Sequence, residues 1–331
     1  MGLNLRKSLF AIGIACAVPL IAGCSVKRLA VNSVADALSG EGGTVFSGDE
    51  DPRLVGDALP FALKLYESLL EATPDHPELL MATCKAFTLY AYAYVQLPAN
   101  RLPDERLDEK KRMLDRAGKL FLRGRDYVLH ALEVRHPGFD TMLSTGMTDS
   151  ALALCNESDT SYLYWAGMSW MGALTTDKFN LGLLMSMPRA VAMVRKVLEL
   201  NETYGKGSAH EFFISYYGSI PEAMGGSKEK AREHFRRAVE LADGARAGPY
   251  VALATTVSVK NQDREEFTSL LNKARKVDVD KVVEYRLLNI ITQRRAQWLL
   301  EHADRFFLSE EDGRAGDESG DEGNGGQGEV Q

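Results

Sequence analysis

From Pro52 onward, apolar residues recur at steps of three and four, the period of a helix with one buried face. No segment sustains the alternation of a half-buried strand. A first strongly helical stretch ends at Thr73-Pro74, and His76-Pro77 opens another through Leu80, Cys84, Phe87 and Tyr90. Prolines so placed stop one helix and start the next. Residues 100–108 read as a loop, and 109–134 as one long amphipathic helix or two. A short helix is predicted around Leu152, then an unusually apolar one over 161–174. Met187-Pro188 opens a helix that ends at Asn201, and 206–217 forms the next. After a loop at 218–227, Ser227 is the predicted N-cap of a helix over 228–241. Gly248-Pro249 starts a helix over 250–259, and Asp263 caps one through Phe267, Leu271 and Ala274. Residues 282–307 close the body as a final long helix.

The stretch 228–241, KEKAREHFRRAVEL, is the most regular. Ala231, Phe235 and Ala238 share one face, whereas Lys228, Arg232, Arg236 and the other charged residues fall on a predicted solvated face. A small residue, an aromatic four later and a small residue three later mark the second helix of a tetratricopeptide (TPR) hairpin. Related anchors stand at Ala62, Ala190 and Phe267. A hairpin of this kind buries its apolar face only against neighbouring hairpins. The predicted fold is therefore all-α: a TPR-like solenoid with irregular repeats over 51–308, ending in a C-terminal capping helix.

The N-terminus carries a different signal. Arg6 and Lys7 precede an apolar run over 9–22 that contains Pro19. The run is short for a membrane span and reads as a secretory signal peptide over 1–23. It ends Leu20-Ile21-Ala22-Gly23-Cys24, which resembles the bacterial lipobox. Cleavage before Cys24 would leave a lipidated first residue joined to the body by a linker over 24–50. Several acyl chains together anchor a protein stably to a membrane. Ser25 after the cysteine favours the outer membrane, facing the periplasm. In that oxidising compartment Cys84 and Cys155 form either a disulfide or, more blandly, two buried small apolar residues.

The formal charge of −7 is concentrated at the other end. Residues 310–331 hold eight acids and one Arg, are rich in Gly, and are expected to be a disordered tail from 309 onward. The helical body is near neutral, which argues against a nucleic-acid role.

No catalytic pattern emerges. His210-Glu211 could begin a zinc-protease motif, but Ile214 stands where the second His is needed. The Cys and His spacings suit no zinc cluster, and no phosphate loop appears. Neither metal, cofactor nor enzymatic activity is expected. The candidate site is the aromatic helix YLYWAGMSWMGAL, where Tyr162, Trp165 and Trp170 do not share one narrow stripe. A helix apolar on most sides is either buried core or the wall of an apolar ligand or partner surface. Gly167 and Gly172 interleave the aromatics.

Several separated stretches are together similar to one family. GGSKEKAREHFRRAVELADGARAGPYVALATTVSVKNQDREEFTSLLNKARKVDVD and RLLNIITQRRAQWLL resemble the T component of TPR-associated TRAP transporters, the TatT family. Upstream, ALPFALKLYESLLEATPDHPELLMATC, YLYWAGMSWMGAL and GKGSAHEFF are similar too. The resemblance implies a lipidated periplasmic protein that partners a TRAP substrate-binding protein. It also implies homo-oligomerisation, as a trimer, and a path for a hydrophobic small ligand. The alternative is a general cell-envelope TPR scaffold or assembly lipoprotein without a ligand of its own.

Overall fold

The computed structural model describes residues 44–308; the signal segment, Cys24 and the acidic tail lie outside the described residues. Among the described residues every regular element is helical, in keeping with the all-α expectation. The chain divides into two compact units, one ending at Tyr204 and the other beginning at Gly205.

In the first unit, α1 (Pro52–Ala72) is opened by Asp51, whose carboxylate accepts from the Arg53 and Leu54 amides. Such a cap satisfies donors that have no partner inside the helix. Its apolar stripe, from Val55 through Ala62, Tyr66 and Leu70, is buried. After Thr73, α2 (Pro77–Tyr90) starts on the predicted proline, with the His76 ring accepting from the Leu79 amide. It then passes through a π-helical turn at Ala91–Gln96 and on through Leu97–Arg101. The predicted loop at 100–108 is thus shorter, because the helical run continues through Pro98, just after the π-helical turn, to Arg101.

The segment left open as one helix or two is a single helix, α3 (Leu107–Arg135). Two short helices follow, α4 (Phe139–Ser144) and α5 (Thr148–Ala153), where one was expected. The aromatic helix α6 (Thr160–Thr176) packs between α3 and α7 (Leu181–Leu200). The α7 start at Met187-Pro188 is corrected. The helix begins six residues earlier because the Asn180 side chain caps the Leu183 amide, and Pro188 sits inside it.

In the second unit, α8 (Ser208–Ser219) runs antiparallel to α9 (Lys228–Ala242). Ser227 caps α9 as predicted, accepting from the Lys230 amide. Ala231 and Ala238 are fully buried, and Phe235 packs edge-on against Tyr250 with centroids 5.7 Å apart. Arg232 departs from the predicted solvated face: its guanidinium grips both oxygens of Glu266, at 2.5 and 3.0 Å. This pair ties α9 to α11 (Arg264–Arg275), which follows α10 (Gly248–Leu253) and a π-helical turn at Ala254–Ser258.

The closing helix α12 (Arg286–Glu301) is shorter than the predicted 282–307, with 3₁₀ turns at Val283–Tyr285 and Ala303–Arg305 on either side. The TPR-type anchors Ala62, Ala190, Ala231 and Phe267 are all buried.

Cys84 and Cys155 are free, buried thiols, so the disulfide alternative is not formed. Cys84 Sγ lies 4.0 Å from the Trp165 carbonyl oxygen, and burial pushes this thiol up to about 12.

Candidate functional site: the aromatic helix and its arginine partners

The three aromatic residues singled out in the sequence lie on α6 in three different surroundings. Tyr162 is buried in the first turn, with the Arg135 guanidinium 4.7 Å from its ring centroid. Burial holds its phenol above the usual range. Trp170, two turns later, is also buried; its indole N–H donates to Ser186 Oγ at 2.8 Å, and Arg125 lies 5.0 Å from its ring centroid. Trp165 is only partly buried. Its ring meets Tyr164 edge-on at 5.6 Å, and Tyr164 packs on Tyr204 at 5.3 Å.

Arg135 with Tyr162 and Arg125 with Trp170 set α3 and α6 in antiparallel register. Each cation is drawn to the negative face of its ring. Nothing in the apolar count of α6 pointed to these arginines; they belong to a different helix and look like ordinary charged-face residues in sequence.

The interleaved glycines serve packing. A Cβ on Gly167 would lie 2.3 Å from Val194 Cγ2 and 3.0 Å from the Ala190 carbonyl oxygen of α7. One on Gly172 would lie 2.5 Å from the Phe121 ring of α3. Both positions let a neighbouring helix approach more closely than any side chain would allow.

The N-terminal end of α6 is organised by Asp159, whose side chain is wholly buried. Arg135 Nε donates to its Oδ1 at 2.6 Å, while the Asn156 amide donates to Oδ2 at 2.9 Å. His136 Nε2 lies 2.8 Å from the same Oδ2. Burial alone would raise the Asp159 carboxyl, but the Asn156 amide, Arg135 and His136 outweigh it and hold the group below the usual range. The Asn156 side chain accepts from the Ser158 amide, completing a reciprocal cap.

Cys155 joins this group: its Sγ, a His136 ring nitrogen and an Asp159 oxygen lie within 4.8 Å of one another. Linear spacing gave no hint of that trio. The thiol is pushed up to about 12, first by burial and then by the nearby Asp159 charge, so it is a weak ligand and nucleophile at neutral pH. Both Asp159 oxygens already accept hydrogen bonds. As built, the trio is a charge network that locks the end of α3 to the start of α6.

His210 and Glu211, read in the sequence as an incomplete metal motif, point to different partners. Glu211 Oε2 accepts from Arg246 at 2.6 and 3.2 Å. His210 Nδ1 lies 2.8 Å from His234 Nδ1 on α9. The His234 ring stacks on Phe213 at 5.0 Å and on Tyr217 at 5.6 Å. Burial, then the neighbouring His210 and Lys230, lower His234 to about 4.

The sequence over 48–307 matches a family described as TRAP transporter T-component. A protein of Treponema pallidum (strain Nichols), described as an uncharacterized protein, is 31% identical over 305 residues, covering 87% of this chain and 94% of that one. The aromatic helix and its arginine partners fall within the matched region. The chain belongs to the family of TRAP transporter T-components, accessory subunits associated with TRAP transport systems of the cell envelope.

Proposed function

We propose that the protein is a lipid-anchored, periplasm-facing subunit that binds the substrate-binding protein of a TRAP-type uptake transporter. The family match over 48–307 carries this reading. The lipobox ending at Cys24 supports the anchor. No helix among the described residues is long and apolar enough to cross a membrane, which is compatible with attachment through lipid. The outer membrane is the proposed site, and the protein works as a homo-oligomer, a trimer by resemblance. The aromatic helix α6 is the proposed contact for a hydrophobic small ligand or for the partner, with Trp165 its most accessible ring.

Two experiments test separate parts. Cys24→Ala should release the protein from membranes; a variant that stays membrane-bound and unprocessed refutes the anchor. Affinity capture from native envelope extract should recover a TRAP substrate-binding protein. Repeated capture without one refutes the partnership and favours a general scaffold.

A further inference from the structure

We propose that the apolar turn between α6 and α7 is a membrane-docking surface for the lipid bilayer to which the chain is tethered. Phe179 is 91% exposed, Leu181 74% and Met185 82%. Scattered exposed apolar residues are ordinary, but large neighbouring ones left in water mark an interaction surface.

The chemistry of the stretch selects a bilayer. From Phe179 to Pro188 there is no charged residue; exposed Lys178 precedes the stretch and half-buried Arg189 follows it. One exposed acid, Asp177, stands before Lys178 and accepts from the Phe179 amide at 3.3 Å. Exposed Phe, Leu and Met with flanking Lys and Arg suit the boundary between acyl chains and anionic headgroups.

The position of the turn points the same way. The Tyr94 hydroxyl donates to the Pro52 carbonyl oxygen at 2.8 Å, at the start of α1. Two residues on, Gln96 donates to Thr175 Oγ1 at 2.7 Å, at the end of α6. Those two bonds place the α6–α7 turn at the end of the first unit where the chain arrives from its N-terminus. Leu54, in the first turn of α1, and Leu107, the first residue of α3, add exposed apolar surface at this end.

About twenty peptide units separate Cys24 from Thr44, a contour of at most about 70 Å. A tether of that length keeps this end within reach of the bilayer, and the patch itself supplies the binding contact. The inference rests on the lipoprotein reading for its tether, but its test does not use the acyl anchor.

The test uses the mature chain carrying Cys24→Ser, produced without acyl chains, and sucrose-loaded vesicles of phosphatidylethanolamine and phosphatidylglycerol. The chain should co-sediment with the vesicles. The double variant Leu181→Asp, Met185→Asp should bind at least tenfold more weakly while keeping its circular dichroism spectrum and melting temperature, since both residues are exposed. Absence of vesicle binding by the parent, or equal binding by the variant, overturns the proposal. So does a parent that ignores vesicles while the variant shifts from oligomer to monomer in sedimentation velocity, which assigns the patch to contact between copies.

Discussion

Arg135 donates to the buried carboxylate of Asp159 at 2.6 Å and lies over the ring of Tyr162, so one guanidinium serves both the cap and the first aromatic of α6. The two partners are not equally dependent on each other. Asp159→Ala leaves a half-buried guanidinium without its counter-ion and the Asn156 amide without its acceptor; the expected loss is about 3 kcal/mol of unfolding free energy. Arg135→Gln should cost less, about 2 kcal/mol, because His136 and the Asn156 amide still contact the carboxylate. A double-mutant cycle by urea denaturation should give strong coupling, and additive effects would show that the network is not a unit.

Gly167 tests the close approach of α6 to α7. Gly167→Ala should destabilise by about 1–3 kcal/mol, since its Cβ meets Val194 Cγ2 at 2.3 Å. Adding Val194→Ala should make the alanine at 167 less costly than it is in the parent. The rescue should be partial because the Ala190 carbonyl oxygen, 3.0 Å away, cannot retreat as a side chain can.

The histidine pair of the second unit gives a signed pH dependence. His234 is lowered to about 4 in the folded protein, whereas an unfolded histidine titrates near 6.5. Between those values the unfolded chain binds more protons. Stability from this group is therefore complete above about pH 6.5 and falls as pH drops toward 4. With allowance for partial solvent screening, unfolding free energy should fall by about 1 kcal/mol from pH 7 to pH 5. His234→Phe should flatten that slope; an unchanged slope would place the titration elsewhere.

Trp165 and Trp170 should behave differently. Trp170→Ala removes a buried ring, its bond to Ser186 and its contact with Arg125, and should cost about 3–5 kcal/mol of stability. Trp165→Ala, at a partly exposed position, should cost much less. If α6 contacts ligand or partner, Trp165→Ala should weaken that binding at least tenfold while the protein remains folded.

What the sequence revealed follows physical range. Helix period, proline stops and the Ser227 cap are local, and they placed most elements in the body. The faults lay where a distant partner or a weaker local signal decides. Asn180 starts α7 ahead of Pro188, and Glu266 draws Arg232 off the solvated face. The aromatic helix was legible from its composition. Its arginines were not, because Arg125 and Arg135 are charged positions on a long amphipathic helix until α6 packs against them. The trio of His136, Cys155 and Asp159 was illegible for the same reason, although the cap spacing Asn156 to Asp159 could have flagged the acid.

The central claim is partnership with a substrate-binding protein, and a titration of the two purified proteins tests it most directly. The mature chain with Cys24→Ser should bind the substrate-binding protein of a TRAP system from the same cell saturably in isothermal titration calorimetry, and Trp165→Ala should weaken the binding. A flat titration with folded proteins, repeated with each TRAP substrate-binding protein of that cell, would contradict the account.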